Sequence, residues 1–199
     1  GGGGKPWEQE ANDWRWCFGV NVFGTANGMM SFVPRMLASG EPGVVVNTSS
    51  GDGGLAPVPY ASVYASSKAA VSCLTESLAQ QLRAEEGGQV RAAIFYPGGG
   101  LLDTGLWTAQ RNRPAELARR KERPPAPGTT FAELKAQLEA AGRPTPVVDL
   151  VELGRFAVAG VKSGAFIIGH DLDRAGRLLH ARADAIARGE LPPHMMEML

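Results

Sequence analysis

Residues 43–50, GVVVNTSS, decide the fold. The run opens with a glycine, continues through three valines, and ends in the polar residues of NTSS before a loop rich in glycine and proline. A short β-branched run between such boundaries predicts a strand buried on both faces of a parallel sheet.

Helices and short apolar strands alternate on either side of this strand. Predicted helices cover residues 12–38, 62–86, 147–161 and 172–188, and two further predicted strands are VRAAIFY at 90–96 and AFIIG at 165–169. Pro34 is expected to bend or end the first helix. Residues 99–146 hold short helical pieces, PAELARRKER and FAELKAQLEAAG, and predict a lid or specificity loop rather than a separate domain.

This order of elements predicts the α/β fold class: a partial doubly wound (Rossmann-like) parallel sheet with flanking helices, three strands and a helical lid insertion. A complete doubly wound domain uses about six strands. We therefore expect residues 1–199 to be the C-terminal part of a single Rossmann-like domain. No G-x-G-x-x-G, the usual dinucleotide-binding pattern, follows a predicted strand.

The composition is that of one globular domain, with 44% hydrophobic residues, 20% charged residues and a formal net charge of zero. Charge neutrality disfavours nucleic acid and anionic membranes as partners. Apolar runs are also too short for a membrane span. Two cysteines are too few for a disulfide framework, so we expect a cytoplasmic protein, and no residue is assigned to a metal.

The segment YASSK, residues 64–68, places Tyr64 and Lys68 on one face of the second predicted helix. A phenol has a pKa of about 10 and needs a neighbouring cation to exchange protons near neutrality. Lys68 is positioned to supply that cation. The pair is a candidate acid/base unit, and the alternative is a half-buried tyrosine beside a solvated lysine.

Four motifs occur in order: NVFG at 21–24, NTSS at 47–50, YASSK at 64–68 and YPGG at 96–99. Together they resemble the short-chain dehydrogenase/reductase family over residues 12–98. The resemblance implies an oxidoreductase that uses NAD or NADP to interconvert an alcohol and a carbonyl compound. It implies that Tyr64 is the acid/base and that Lys68 lowers its pKa and holds the nicotinamide ribose. Ser50, preferred to Ser49, would bind the substrate oxygen, and Asn21 would relay protons through water to the lysine.

The same resemblance assigns Thr48, Pro97 and Gly98 to the nicotinamide. Thr104 is the candidate for the threonine that usually contacts the cofactor carboxamide, although here it comes later after the Pro-Gly turn. Asp52 is expected near the substrate, and the apolar side chains Leu102, Leu106 and Trp107 favour a substrate with a hydrophobic body.

Residues 110–143 contain eight Lys or Arg against four Asp or Glu. This excess favours either an acidic substrate or a solvated helical face. The expected partner is a small-molecule alcohol or ketone, with a second copy of the chain as a further option.

Two other functions remain open from the sequence. Ser50, Asp103 and His170 follow predicted strands in the chain order of α/β serine hydrolases, but no G-x-S-x-G surrounds the serine. A truncated, non-catalytic chain that keeps the catalytic residues without a cofactor pocket is the other alternative.

Overall fold

The computed structural model describes residues 4–59, 61–85, 87–121, 130–143 and 145–194. Its helices are α1 (Ala11–Phe18), α2 (Gly24–Ser39), a short turn α3 (Gly51–Gly54), α4 (Ser62–Ala84), α5 (Phe131–Ala140), α6 (Leu150–Lys162) and α7 (Leu172–Ala187). The strands are β1 (Gly43–Thr48), β2 (Val90–Tyr96) and β3 (Ile167–Gly169). Helices and strands alternate as the sequence predicts.

The three strands form one parallel sheet in the order β1, β2, β3. Gly43 pairs with Val90 and Thr48 with Phe95, and the end of β2 pairs with β3 through Tyr96 and Gly169. All strands run the same way, so their carboxyl ends meet at one edge. This confirms the predicted α/β class with a Rossmann-like parallel sheet.

Strand β2 is the centre of the core, and β1 is more exposed than its sequence suggests. Ala93 and Ile94 are fully buried, as are Ser67, Val71 and Thr75. Along β1, by contrast, Val46 is 39% exposed. The prediction of burial on both faces is therefore wrong for β1, because among the described residues only β2 pairs with it.

The first predicted helix is interrupted where the sequence gives no break. Residues Gly19–Phe23 form a π-helical turn between α1 and α2, and the Gly24 N–H bonds to the Gly19 carbonyl five residues earlier. Pro34 does not end the helix, which continues to Ser39 and stops at Gly40 in the left-handed conformation.

The segment 99–146 leaves the sheet edge and returns to it at the same place, where its two ends are joined by hydrogen bonds. The Leu101 N–H donates to the Pro146 carbonyl, and the Val148 N–H donates to the Leu101 carbonyl. Within this lid, FAELKAQLEAAG forms α5 as predicted, with a Thr130 and Glu133 capping box. The described part of PAELARRKER forms only a 3₁₀ turn, Ala115–Leu117, and the rest lies outside the described residues. No helix in the described ranges combines the length and apolarity needed to cross a bilayer.

Candidate active site

A cavity of about 520 Å³ lies at the carboxyl ends of β1 and β2. Most of the residues singled out from the sequence line it: Asn21, Thr48, Ser50, Asp52, Tyr64, Lys68, Pro97, Leu102, Thr104, Leu106 and Trp107. They come from the turn between α1 and α2, the end of β1 and the loop after it, α4, the turn after β2 and the lid. The fold therefore brings side chains far apart in sequence into one space.

The glycine-rich turn after β1 is pressed against the first turn of α4. Gly53 has φ +91°, and a Cβ there would lie 1.8 Å from the Ala65 carbonyl oxygen. A Cβ on Gly54 would lie 2.7 Å from the Tyr96 ring and 2.9 Å from the Ser49 hydroxyl. Only glycine permits these approaches. The GDGG sequence thus fixes the loop beside α4.

Ser50 is held by this turn at the mouth of the cavity. Its backbone is extended, and its Oγ accepts a hydrogen bond from the Asp52 N–H at 3.2 Å, which caps α3. Hydrogen bonding with Ser50 acts to lower the pKa of the Tyr64 phenol, so the two side chains are close together. A serine and a tyrosine placed in this way can both address one substrate oxygen.

Ser49, the neighbouring alternative, is used for packing. It is 2% exposed, donates to the Lys68 carbonyl at 2.9 Å and lies 2.7 Å from the Ser72 hydroxyl. Ser72 in turn lies 3.0 Å from the Tyr96 hydroxyl. These bonds engage the Ser49 hydroxyl with α4, whereas Ser50 is the serine that affects the pKa of Tyr64.

Tyr64 and Lys68 occupy successive turns of α4 on one face. The Lys68 Nζ lies 5.8 Å from the Tyr64 ring centroid and donates a hydrogen bond of 2.9 Å to the Thr48 carbonyl oxygen. That bond joins the end of β1 to α4. It also keeps the ammonium at the sheet edge, directly beside the phenol ring.

Burial, rather than the lysine, dominates the pKa of Tyr64. Burial raises the pKa of Tyr64 above its usual value, a hydrogen bond from Ser50 lowers it, and the negative charge of Asp52 raises it further. Burial also lowers the pKa of Lys68. The sequence predicts that Lys68 lowers the phenol pKa, whereas burial and the charge of Asp52 raise it in the structure.

Asn21 lies in the π-helical turn and is tied to α4. Its Nδ2 donates to the Ser67 Oγ at 2.9 Å, and the Ser67 hydroxyl donates to the Tyr64 carbonyl at 2.7 Å. The buried Cys17 thiol donates to the same Ser67 oxygen at 3.5 Å. These contacts position Asn21 at the cavity wall near α4.

The lid supplies an apolar wall. The Trp107 indole N–H donates to the Leu102 carbonyl at 2.7 Å, and its ring packs edge-on against Phe131 of α5 with centroids 6.1 Å apart. Four lining residues were not singled out from the sequence: Phe95, Gly100, Leu101 and Leu153. The amphipathic pattern of α6 indicates that Leu153 faces inward, but it does not indicate which cavity Leu153 meets.

Gly98 is the predicted site residue that does not line the first cavity. It lines a second cavity of about 440 Å³, together with His170, Asp171 and Arg174. Pro97 and Gly100 border both cavities. The Pro-Gly turn therefore separates two spaces, and the assignment of Gly98 to the same cavity as Thr48 is not supported by the geometry.

The hydrolase set is not assembled. Ser50 lines the first cavity and His170 the second, where the imidazole stacks on Phe156 at 4.0 Å. Asp103 is exposed and lines neither cavity. A serine nucleophile needs its base within hydrogen-bond reach, and the structure does not place His170 in that position.

Some of the excess basic side chains of the lid form salt bridges with α1. Arg113 and Arg119 both donate to the Asp13 carboxylate of α1 at 2.8 Å, and Arg113 lies over the Trp16 ring at 5.2 Å. The Glu10 carboxylate accepts the backbone N–H of Arg120. These arginines fasten the lid to α1, and neither Arg113 nor Arg119 lines the cavity.

The sheet and its helices define a Rossmann-like α/β domain. A serine, a tyrosine and a lysine form a polar site at the carboxyl edge of this sheet. A family model described as short chain dehydrogenase matches residues 2–114. The chain belongs to the short chain dehydrogenase family.

Individual relatives agree with this assignment. The chain is 39% identical over 105 residues to a C alpha-dehydrogenase of Sphingobium sp. strain NBRC 103272 / SYK-6, covering 53% of this chain and 32% of that protein. An uncharacterized NAD-dependent oxidoreductase of Mycobacterium tuberculosis is 38% identical over 81 residues, covering 41% of this chain and 29% of its own length. The matches thus span about a third of the curated relatives.

A solved structure is similar over nearly the whole chain. It is a short chain dehydrogenase/reductase from Burkholderia phymatum in complex with NAD, with a TM-score of 0.79 and 32% identity. The match covers 97% of this chain and 65% of that one. The similarity therefore extends through the lid, β3 and α7, beyond the residues matched by the family model.

Proposed function

We propose that this chain carries the acid/base and substrate-binding half of an NAD(P)-dependent oxidoreductase that interconverts an alcohol and a carbonyl compound. The observation that carries the proposal is the convergence of Ser50, Tyr64 and Lys68 on one cavity at the carboxyl edge of a parallel sheet. Family membership supports the same function. The serine hydrolase alternative has no comparable support, because Ser50 and His170 line different cavities.

Tyr64 and Ser50 would bind the reacting oxygen together. In the reducing direction the Tyr64 phenol donates its proton to the oxygen as negative charge develops, and the Ser50 hydroxyl stabilises that charge. The raised pKa of Tyr64 keeps the phenol protonated at neutral pH, which suits proton donation. In the oxidising direction Tyr64 must first lose its proton, so oxidation is favoured at alkaline pH.

Lys68 has the donors that a nicotinamide ribose requires. An ammonium carries three N–H donors, and one is bound to the Thr48 carbonyl at 2.9 Å. No other hydrogen bond from Nζ is found within the described part of the chain, so two donors remain for ribose hydroxyls. When bound, a nicotinamide supplies or accepts the hydride. Thr48, Lys68 and Pro97 line the place where its ribose and ring would be held.

The rest of a dinucleotide requires groups that the sequence of residues 1–199 does not offer. The usual pyrophosphate site is a G-x-G-x-x-G turn between a strand and a helix N-terminus, and this sequence contains no such pattern. We therefore propose that these residues are the C-terminal part of the catalytic domain, with the lid at 99–146. We also propose that they are inactive when expressed alone.

Asn21 would complete the polar set as a positioning residue. Its amide is fixed through Ser67 to the helix that carries Tyr64 and Lys68. A water held at the Asn21 carbonyl oxygen would link the lysine to solvent. The apolar lid residues Leu102, Leu106 and Trp107 also line the cavity, so we propose a substrate with an apolar body.

The substitution Tyr64→Phe tests this function in the full-length protein. It keeps the ring and its packing but removes the proton donor, so turnover should fall by roughly 100-fold or more. Cofactor affinity should change little, because Lys68 remains. Turnover is followed by NAD(P)H absorbance, and binding by NAD(P)H fluorescence. Turnover in Tyr64→Phe near that of the unmodified protein would refute the proposed chemistry.

A further inference from the structure

Asp52 is the acidic side chain of the cavity, and the acid/base chemistry above does not use it. It lines the same cavity as Ser50 and Tyr64. Its backbone N–H is bound to the Ser50 hydroxyl, but its carboxylate has no hydrogen bond or ion pair among the residues that the structure describes. A half-buried carboxylate without a partner is costly. The site therefore holds an acceptor that a ligand can satisfy.

The position of Asp52 is imposed by the backbone. It precedes Gly53, whose close approach to the Ala65 carbonyl anchors the turn on α4. The Asp52 charge is near enough to Tyr64 to raise the phenol pKa. Burial also raises the pKa of the Asp52 carboxyl itself. A donor group placed against the carboxylate would offset that burial.

We propose that Asp52 is a specificity-determining residue that accepts a hydrogen bond from a substrate hydroxyl on the carbon next to the reacting carbon. The inference rests on the function proposed above and narrows its substrate to hydroxy ketones and the corresponding diols with an apolar body. Adjacency is inferred from the turn itself, because the Asp52 N–H is bound at 3.2 Å to the hydroxyl of Ser50, which would bind the reacting oxygen. A neutral hydroxyl fits better than an ammonium group because Lys68 already places a cation in this cavity.

Matched ketones test the inference in the full-length protein with NADH and NADPH. Acetophenone, 2-hydroxyacetophenone and 2-aminoacetophenone differ only at the carbon beside the carbonyl. The hydroxy ketone should have a kcat/KM about 10- to 100-fold above that of acetophenone, the effect of a hydrogen bond to a charged group. Asp52→Leu should remove most of this ratio, and Asp52→Asn, which keeps one acceptor oxygen, should retain part of it.

A pH profile adds a readout that lost packing would not change. Asp52, Lys68 and Cys17 are the charged and titratable groups near Tyr64, and among them Asp52 and Cys17 raise its pKa. Asp52→Asn removes a negative charge, so the pKa of Tyr64 should fall. The pH at which the rate of alcohol oxidation increases should therefore move to a lower value. Asp103 is an exposed aspartate outside the cavity, so Asp103→Asn is the matched control. This variant should keep the kcat/KM ratio of the hydroxy ketone to acetophenone, and it should keep the pH profile of alcohol oxidation. Melting temperatures identify any variant that fails to fold.

The outcomes separate this inference from the proposed function. Equal kcat/KM values for acetophenone and the hydroxy ketone, or a ratio that survives Asp52→Leu, would overturn the role of Asp52 alone, provided that Tyr64→Phe abolishes turnover. Preference for the amino ketone would overturn the assignment to a hydroxyl. Full turnover in Tyr64→Phe would refute the proposed function and this inference with it. A full-length protein that reduces none of the three ketones would have the same consequence.

Discussion

Replacing Asp13 by alanine tests how the lid is held over the site. The Asp13 carboxylate accepts hydrogen bonds from Arg113, Arg119 and the Glu10 N–H, at 2.8, 2.8 and 3.0 Å. The side chains of Asp13 and Arg113 are 7% and 8% exposed, so the pair is buried. Removing one member of a buried pair leaves the other uncompensated and costs about 3–5 kcal/mol. That loss is a large fraction of the stability of a typical domain, about 5–15 kcal/mol.

Urea unfolding followed by tryptophan fluorescence measures this loss, because Trp16 lies directly under Arg113. Glu139→Ala is the control: it breaks the exposed pair with Lys135 within the lid and should cost less than about 1 kcal/mol. Burial acts to raise the pKa of Asp13, but its hydrogen bonds outweigh burial and hold the pKa below the usual value. Its contribution is therefore complete above the usual aspartate pKa, about 4, and is lost as pH falls through the lowered pKa. Equal losses for Asp13→Ala and Glu139→Ala would refute the argument.

Three further expectations follow from the site. Lys68→Ala in the full-length protein should weaken NAD(P)H binding about tenfold or more in fluorescence titrations, because the donors for the ribose are lost, and unchanged affinity would exclude that contact. Gly53→Ala should lower both melting temperature and turnover because its Cβ would collide with the Ala65 carbonyl, whereas Gly40→Ala, at φ +68° with open space around it, should lower only the melting temperature. Residues 1–199 alone should show little or no NADH binding by calorimetry, and tight saturable binding would show that the pyrophosphate site had been missed.

The sequence predicts the α/β order well because the determining signals are local. GVVVNTSS and VRAAIFY are short apolar runs with clear boundaries, and β1 and β2 follow them closely. The π-helical turn at 19–23 could not be predicted in this way. It coincides with a tertiary contact, the bond from Asn21 to Ser67 on a helix 46 residues later. The exposure of Val46 likewise depends on which strands flank β1, and no residue within β1 specifies them.

The candidate site was predictable where motif spacing and helical geometry act together. Four-residue spacing on α4 is enough to place Tyr64 and Lys68 on one face. Spacing alone could not indicate that Gly98 lines the second cavity, because that depends on how the chain turns after β2. Nor could it give the direction of the Tyr64 pKa shift, which arises from burial and from Asp52 in another loop.

The two walls of the cavity are held by independent means. On the polar wall, main-chain contacts act: Gly53 is pressed against the backbone of α4, and Lys68 binds the Thr48 carbonyl. On the apolar wall, the lid is held by side chains, through the Trp107 indole and the Asp13 cluster. Substitutions in the lid can therefore reshape substrate selection without moving Ser50 relative to Tyr64. Asp52 is the exception, because it belongs to the rigid wall and also lines the cavity, so the substrate preference that we propose for it would be built into the same turn that holds Ser50.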